Sequence, residues 1–339
     1  MVSTSFNTRS RAAWTTNLEL IFLVGSPRSG TTWLQAMLSC HPAVCTGPET
    51  FFFATFSEAE KEFLRPKERR IGLAEYLSQE EFYRVIGELF WLSISALPEA
   101  PAGTKYFLEK TTNHCVYSEF ILKTFPRARF IHIIRDPRAV VASILRAAKS
   151  WGNNWAPTDV REATRIWSTL IQYGRGIRNL VGNPDQYLEV KYEDLRVDTR
   201  KHLSKLLSWL GLDATNDVIA EIIEANSLQK TRIDTQKFSS IPMTPMSAVS
   251  PISDTPYPPG FVGPAPGRAE DVELSWLECA SVETMVSELL TECGYARTKR
   301  CRLPGERFAI VLADVLLRRS SLFAEKIVKI FGKGRSLRF

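Results

Sequence analysis

Short apolar runs alternate along the chain with longer segments in which apolar residues recur at helical spacing. Each run has four to eight residues between polar or turn-forming residues, which is typical of a buried strand. The predicted strands are Leu18–Gly25, Lys105–Lys110, Arg129–Ile134 and Tyr187–Val190. The segments with helical spacing predict helices at Thr31–Ser39, Tyr117–Phe125, Ala139–Lys149, Asp159–Val181 and Thr199–Leu210.

This alternation of strands and helices predicts an α/β fold with a doubly wound parallel sheet that is flanked by helices. Ligands of such sheets bind at the carboxyl ends of the strands. Gly25, Lys110 and Arg135 each fall at the end of a predicted strand. We therefore expect these three residues to lie at one edge of the sheet.

The remaining segments lack this regular pattern. Ser57–Pro101 is helical in character but poorly patterned, which predicts an insertion. Ile241–Gly267 contains eight of the nineteen prolines and predicts a long loop inside a domain that spans residues 18–300. Residues 1–17 are polar and predict a disordered N-terminal tail.

Residues 301–339 form a separate basic segment. They contain nine Lys/Arg and three Asp/Glu, which accounts for the whole formal net charge of +6. Apolar residues recur between the basic ones as in an amphipathic helix. Such a helix suits an anionic membrane surface, its own domain or a partner subunit, and the sequence leaves these three open. Nucleic acid is not expected as a partner, because the basic residues do not follow a groove with interleaved aromatic residues.

The composition suits a protein with a sizeable core, since 44% of the 339 residues are hydrophobic. Six cysteines are scattered without C-x-x-C spacing, so we expect neither a disulfide framework nor a metal site. The N-terminus lacks the basic and apolar regions of a signal peptide, and no apolar run is long enough to span a bilayer. These features predict a cytoplasmic protein, with peripheral membrane binding through the basic segment as the alternative.

The most informative segment runs from Leu18 to Leu38, where an apolar run ends at a glycine-bounded turn and a helix follows. The backbone N–H groups of such a loop, together with the positive end of the helix dipole, suit a phosphate. Gly25 and Gly30 keep the spacing of the nucleotide-hydrolase P-loop, G-x-x-x-x-G-K-[ST]. Thr31 occupies the lysine position, however, and the cation is Arg28 within the loop. The groups available to hold an anion smaller than a triphosphate are those of Arg28, Ser29, Thr31 and Thr32.

At these residues the chain resembles the sulfotransferases that use 3′-phosphoadenosine 5′-phosphosulfate (PAPS). Their 5′-phosphosulfate loop is similar to Gly25–Trp33. Further motifs follow in the family's order, over roughly Leu18 to Tyr295, and several motifs in order are more specific than any single one. They are His41-Pro42 with Pro48–Phe52, Glu109–Thr111, Arg129–Pro137 with Ser143, and Lys191–Leu195.

The resemblance implies a P-loop-like fold with PAPS as co-substrate and without a metal. It assigns the 5′-phosphosulfate to the loop residues Ser26, Pro27, Arg28, Ser29, Gly30, Thr31 and Thr32. It assigns the 3′-phosphate to Arg135 and Ser143, and the adenine to Trp33 and Tyr192. Arg268, in a loosely matching glycine-rich segment, is a further candidate for the 3′-phosphate.

Sulfuryl transfer to a hydroxyl requires cations near the leaving phosphate and a base for the acceptor proton. Arg28 and Lys110 are the candidate cations, although many relatives have lysine in place of Arg28. The resemblance to the glycan-modifying branch makes Glu49 the candidate general base, although proline replaces the lysine that precedes it there. His114 is the alternative base, because Thr112 occupies the position of the histidine that the cytosolic branch uses.

The resemblance thus predicts sulfuryl transfer to a carbohydrate, a glycolipid or another hydroxylated acceptor. The poorly patterned segment Ser57–Pro101 is the candidate insertion that covers the acceptor site. Two other classes stay open. A P-loop kinase or NTPase would share the strand, loop and helix, but the missing loop lysine disfavours it. A non-catalytic scaffold would bind nucleotides or glycans without turnover. The sequence does not indicate an oligomeric state.

Overall fold

A computed structural model describes residues 18–65, 72–95, 97, 100–226 and 274–298 of the chain. The N-terminal tail, the proline-rich segment with Arg268, and the basic segment 301–339 lie outside the described residues. The expectations for these segments stay predictions.

Five parallel strands form the central sheet of the described chain. They are β1 (Glu19–Gly25), β2 (Val44–Thr46), β3 (Tyr106–Glu109), β4 (Arg129–Ile134) and β5 (Tyr187–Lys191). Their order across the sheet is β2-β3-β1-β4-β5, and every neighbouring pair is parallel. The central strand is therefore β1, and its last residue, Gly25, lies in register with Ile133 of β4. Parallel pairing places the carboxyl ends of all five strands at one edge.

Helices cover both faces of the sheet. In chain order they are α1 (Thr31–Ser39), α2 (Phe52–Leu64), α3 (Gln79–Ile94), α4 (Ser118–Thr124), α5 (Pro137–Ala148), α6 (Val160–Gly176), α7 (Tyr192–Val197), α8 (Thr199–Trp209), α9 (Asn216–Ala225), α10 (Trp276–Met285) and α11 (Ser287–Glu292). Short 3₁₀ helices lie at Leu73–Glu75, Thr112–Tyr117, Ile177–Asn179 and Pro184–Gln186.

The core has a layer on each side of the sheet. Phe22 of β1 packs with the apolar residues of α2, α3 and α4, including Phe53 and Phe90. Leu23, which points to the opposite face, packs with α1, α8 and α9. Because both faces are covered, β1 is apolar along its whole length instead of alternating with polar residues. A third apolar cluster joins α5 and α6 to α10 and α11.

The architecture confirms the predicted parallel sheet flanked by helices, and the four predicted strands agree with the structure to within one residue at each end. The prediction missed β2, because a three-residue edge strand is too short to show a pattern. In the predicted insertion at Ser57–Pro101, α2 begins earlier, at Phe52, and α3 follows at Gln79–Ile94.

Two further features concern the whole described part of the chain. Cys40, Cys45, Cys115 and Cys293 are free thiols. No helix among the described residues is both long and apolar enough to cross a bilayer.

Candidate active site

The loop after β1 contains three residues with positive φ. Gly25, Arg28 and Gly30 have φ angles of 154°, 70° and 96°. A Cβ on Gly25 would lie 2.5 Å from the carbonyl oxygen of Ile133, and a Cβ on Gly30 would lie 2.5 Å from the ring of Tyr192. Glycine alone fits at these two positions, so the two motif glycines bound a tight turn.

Helix α1 begins directly after this turn, and no side chain caps its N-terminal N–H groups. Its first turn, which includes Thr31 and Thr32, contains no acidic residue. The hydroxyl of Ser29 is buried and has no hydrogen-bond partner among the described residues, whereas the hydroxyl of Ser26 donates to the carbonyl of Pro27 at 3.3 Å. Uncapped N–H groups, the positive end of a helix and a buried hydroxyl together favour an anion at this loop.

Two arginines from different strand ends meet at the loop. Arg135, which follows β4, donates a hydrogen bond of 3.0 Å from Nη1 to the carbonyl oxygen of Arg28. The Nε of Arg28 in turn donates to the hydroxyl of Ser143 on α5, at 3.1 Å. The structure therefore brings together three predicted phosphate ligands from distant parts of the sequence.

The electrostatics of this cluster are unusual for arginine. The pKa of Arg28 is lowered to about 10, first by burial and then by the positive charges of Arg135 and Arg146. Burial removes water from a cation, and neighbouring cations repel it. An anion bound between these side chains would offset both effects.

Tyr192 and Trp33 form the aromatic side of the cluster. The guanidinium carbon of Arg135 lies 4.2 Å from the centre of the Tyr192 ring, in a cation–π contact. The ring centres of Trp33 and Tyr192 are 5.8 Å apart in an edge-to-face arrangement. The indole N–H of Trp33 donates to the carbonyl of Asn226, at 3.2 Å. These contacts fix two aromatic rings beside the loop, as the predicted adenine site requires.

Sequence reasoning missed two members of this cluster. Arg146 lies one helical turn after Ser143 on α5, so the i, i+3 spacing could have placed it on the same face. Trp151 follows α5, and its ring centre lies 5.2 Å from the guanidinium carbon of Arg28. No pattern in the sequence singled out Trp151.

A second group of candidate residues lies at the ends of β2 and β3. The Nζ of Lys110, directly after β3, forms an ion pair with Oε1 of Glu49, which follows β2. The side chain of Lys110 is 9% exposed and that of Glu49 is 32% exposed. Within the described residues, Oε2 of Glu49 has no hydrogen-bond partner. A partly exposed carboxylate oxygen of this kind can accept a proton from a hydroxyl group. The sequence predicted both residues but not their contact.

The alternative base, His114, is buried. Its ring is fully buried, with Nδ1 2.8 Å from Oε2 of Glu109 and the ring centre 5.5 Å from that of Phe53. A general base must reach the proton that it abstracts. The burial of His114 therefore argues against it as the base and indicates a structural role.

The strand order relates the two groups to the loop. The loop lies between them, because β1 separates β3 from β4. The Glu49–Lys110 pair follows the strands on one side of β1, whereas Arg135 and Tyr192 follow the strands on the other side. Within the described ranges, no three His, Cys, Asp or Glu side chains cluster closely enough to hold a metal ion.

Comparisons with known proteins agree on one family. A family model described as "Sulfotransferase family" matches residues 20–217. The chain is similar to the protein-tyrosine sulfotransferase of Drosophila melanogaster, with 27% identity over 202 residues that cover 60% of this chain and 40% of the relative. It is also similar to protein-tyrosine sulfotransferase 1 of Danio rerio, with 28% identity over 203 residues that cover 60% of this chain and 56% of the relative. The chain spans about half the length of these curated relatives.

Among solved structures, a sulfotransferase domain from the olefin synthase of Synechococcus PCC 7002 aligns with 60% of this chain and 77% of that chain. The sequence identity is 24% and the TM-score is 0.41.

Proposed function

This chain belongs to the sulfotransferase family, and from that premise we propose that it transfers the sulfuryl group of PAPS to a hydroxyl group. The observation that carries the proposal is the meeting of Arg28, Arg135 and Ser143 beside an uncapped helix N-terminus. This arrangement offers separate hydrogen-bond donors to the two anionic ends of one nucleotide. A single phosphate-binding loop offers donors to one end alone.

The donor would bind along the carboxyl edge of β1, β4 and β5. The loop Ser26–Thr32 suits the 5′-phosphosulfate through its backbone N–H groups and the buried hydroxyl of Ser29. Arg135 and Ser143 suit the 3′-phosphate, because a guanidinium presents a fork of donors to phosphate oxygens. Trp33 and Tyr192 offer ring surfaces for the adenine. Arg268 stays a predicted ligand of the 3′-phosphate.

In the transfer step, the acceptor oxygen forms a bond to sulfur while the bond from sulfur to the bridging oxygen of PAPS breaks. The leaving group is adenosine 3′,5′-bisphosphate, and Oε2 of Glu49 takes the acceptor proton. Arg28 and Lys110 would stabilise the negative charge that develops on the leaving phosphate and on the sulfonyl oxygens. Fixed cations in a partly buried site contribute several kcal/mol, on the order of 3, to such a step.

Two observations bear on the chemical class of the acceptor. The curated relatives are named protein-tyrosine sulfotransferases, which makes the phenol of a tyrosine the first acceptor to test. The likeness of Pro48–Phe52 to the glycan-modifying branch supports a carbohydrate hydroxyl as the second. Both acceptors need the same chemistry at Glu49, namely removal of a hydroxyl proton.

The proposal is tested by binding and by turnover. Isothermal titration should detect adenosine 3′,5′-bisphosphate without added metal, and ATP with Mg²⁺ should bind more weakly. Turnover is measured with radiolabelled PAPS and two acceptors, a tyrosine-containing peptide and a simple N-acetylglucosamine glycoside. Hydrolysis of ATP in place of sulfuryl transfer would instead support the NTPase alternative.

The role of Glu49 is tested in the same assay. We expect Glu49→Gln to reduce turnover by about 100-fold or more, because an amide does not accept the proton, while the affinity for adenosine 3′,5′-bisphosphate stays unchanged. The matched control is Glu58→Gln, a change of an exposed carboxylate on α2. Turnover of Glu49→Gln at the wild-type rate would rule out Glu49 as the general base.

A further inference from the structure

The carboxylate of Glu109, the last residue of β3, accepts an unusual number of hydrogen bonds. Glu109 is 1% exposed. Its Oε1 accepts from the hydroxyl of Thr50 at 2.9 Å, the hydroxyl of Thr111 at 2.5 Å and the N–H of Thr50 at 3.3 Å. Its Oε2 accepts from the N–H of Thr111 at 3.1 Å and from Nδ1 of His114 at 2.8 Å. A buried carboxylate is tolerated when its lone pairs are satisfied in this way.

The contacts keep this carboxylate ionised. Burial raises the pKa of Glu109, but the adjacent His114 and the hydrogen bonds from His114, Thr111 and Thr50 outweigh burial, so the pKa is lowered overall. An ionised carboxylate can only accept hydrogen bonds, so Nδ1 of His114 must carry a proton. The Glu109 carboxylate is therefore a hydrogen-bond acceptor that holds separate segments of the chain together.

One of these segments is the turn that connects β2 to α2. Phe51 in this turn has φ = 50°, a left-handed conformation that is unfavourable for a non-glycine residue. The hydroxyl of Thr50 accepts from the N–H of Phe52, the first residue of α2, at 3.2 Å. The N–H groups of Thr50 and Phe51 donate to the hydroxyl of Thr111, at 3.2 and 3.4 Å. That hydroxyl donates to Glu109, so its two acceptor sites and its one donor are all used.

The ion pair of Glu49 with Lys110 lies between these contacts. Glu49 immediately precedes Thr50, and Lys110 lies between Glu109 and Thr111. The backbone on either side of the Glu49–Lys110 ion pair is thus fixed by one buried carboxylate. We propose that Glu109, acting through Thr50 and Thr111, is a positioning residue that aligns Glu49 with Lys110 for proton transfer. This inference rests on the proposed function, because it assumes that Glu49 is the general base.

Glu109 does not itself contact an acceptor, since its carboxylate is fully enclosed by the groups named above. Its effect would be geometric. Misplacement of a reacting group by about 1 Å can reduce the rate by about 100-fold. The same contacts account for the sequence Glu-Lys-Thr at this strand end, because each residue has a separate task.

The first test uses substitutions of Glu109 and Thr111. We expect Glu109→Gln and Thr111→Val to reduce kcat by about tenfold or more, with the Kd for adenosine 3′,5′-bisphosphate within about twofold of wild type, since the residues proposed to hold the nucleotide follow β1, β4 and β5. Thr111→Ser keeps the hydroxyl and should retain wild-type kcat. Weaker nucleotide binding in both variants would indicate a general loss of folding, and a reduced kcat in Thr111→Ser would show that the hydroxyl is not the group that matters. Either result overturns the proposal.

The second test is independent of turnover. Hydrogen exchange at the amides of Thr50 and Phe51 should be slow in wild type and in Thr111→Ser. It should be faster in Glu109→Gln and Thr111→Val, while exchange in α5 stays the same. Unchanged exchange at Thr50 and Phe51 would overturn the proposal. Because exchange needs no acceptor, a wild-type protein that sulfates neither test acceptor would contradict the proposed function but not the structural role of Glu109.

The third test is a double-mutant cycle in the turnover assay. If Glu109 acts through Glu49, then Glu109→Gln should cost little further activity once Glu49 is already glutamine. Additive losses would show that Glu109 acts elsewhere and would contradict the proposal.

Discussion

The guanidinium of Arg135 holds the backbone of Arg28, through a hydrogen bond of 3.0 Å from Nη1 to the carbonyl oxygen. The residue after β4 thus supports the loop after β1, and the loop adopts a left-handed conformation at Arg28. The side chain proposed to bind the 3′-phosphate therefore also supports the loop proposed to bind the 5′-phosphosulfate.

Substitution of Arg135 should separate charge from geometry. Lysine keeps the positive charge but not the fork of donors. We expect Arg135→Ala to weaken binding of adenosine 3′,5′-bisphosphate by about 100-fold and Arg135→Lys by about tenfold, since hydrogen bonds to charged groups contribute about 1.5–3 kcal/mol. Arg127→Ala, at the opposite end of β4 and 87% exposed, is the control for isothermal titration. Equal binding by the lysine variant and wild type would refute the role of the fork.

A methyl group at Gly30 should disturb the nucleotide site. It would meet the ring of Tyr192 at 2.5 Å and would strain a backbone with φ of 96°. Displacement of that ring removes its cation–π contact with Arg135, so we expect Gly30→Ala to bind adenosine 3′,5′-bisphosphate about tenfold more weakly. Gly176→Ala at the end of α6 is the control, because a Cβ there meets no atom within 4 Å. Unchanged nucleotide binding by Gly30→Ala would contradict the predicted clash.

Stability should fall in acid because of His132 on β4. Burial lowers the pKa of His132 to about 4, and the nearby charges of Glu189, Arg175 and Arg178 modify this effect. The unfolded chain binds a proton below about pH 6.5 and the folded chain only near pH 4, so the free energy of unfolding decreases as the pH falls between these values. The decrease attributable to His132 is about 3 kcal/mol.

Urea denaturation between pH 4 and pH 6.5 measures this contribution. His132→Asn can keep a hydrogen bond to the hydroxyl of Tyr187, which lies 2.9 Å from Nδ1 in wild type. We expect this variant to have a shallower dependence of unfolding free energy on pH. His202→Asn, on the surface side of α8, controls for loss of an imidazole. The same slope in wild type and His132→Asn would disprove the assignment.

The buried ion pair between Arg138 and Glu283 should contribute strongly to stability. The Nη1 of Arg138 lies 2.5 Å from Oε1 of Glu283, and both side chains are 2% exposed. Glu283→Ala removes one of the two carboxylates that pair with the buried Arg138, the other being Asp136 at 2.6 Å, and it also removes the acceptor of the Thr298 N–H. We therefore expect it to lower the free energy of unfolding by about 3 kcal/mol. Glu88→Ala breaks an exposed pair with Arg84 and should cost about 1 kcal/mol or less. Similar losses in the two variants, measured by chemical denaturation, would contradict this ranking.

The sequence was sufficient to predict four of the five strands, because strands that are buried on both faces of a sheet form continuous apolar runs. It was also sufficient to bring Arg28 and Arg135 to one edge, since parallel strands share the direction of their carboxyl ends. Periodicity failed for β2, which has three residues and owes its place to pairing with β3.

The pairwise contacts of the site were beyond sequence reasoning. The ion pair between Glu49 and Lys110 lies beside the turn at Phe51, whose positive φ could not be predicted from the residue type. His114 was a reasonable candidate base by its position in the chain, but its burial depends on packing against Phe53, a residue far away in sequence. Arg146 could have been found from its spacing to Ser143, whereas the contact of Trp151 with Arg28 required the folded chain.

The position of β1 at the centre of the sheet separates two tasks in space. The residues proposed to hold the sulfate carrier follow β1, β4 and β5, whereas the proposed general base, Glu49, and its partner Lys110 follow β2 and β3, with α2 and α3 between these two strands in the chain. Exchange of the α2–α3 region between homologues could therefore redirect what is sulfated while the carrier and its affinity stay the same, which makes this half of the fold the natural place to engineer new acceptors.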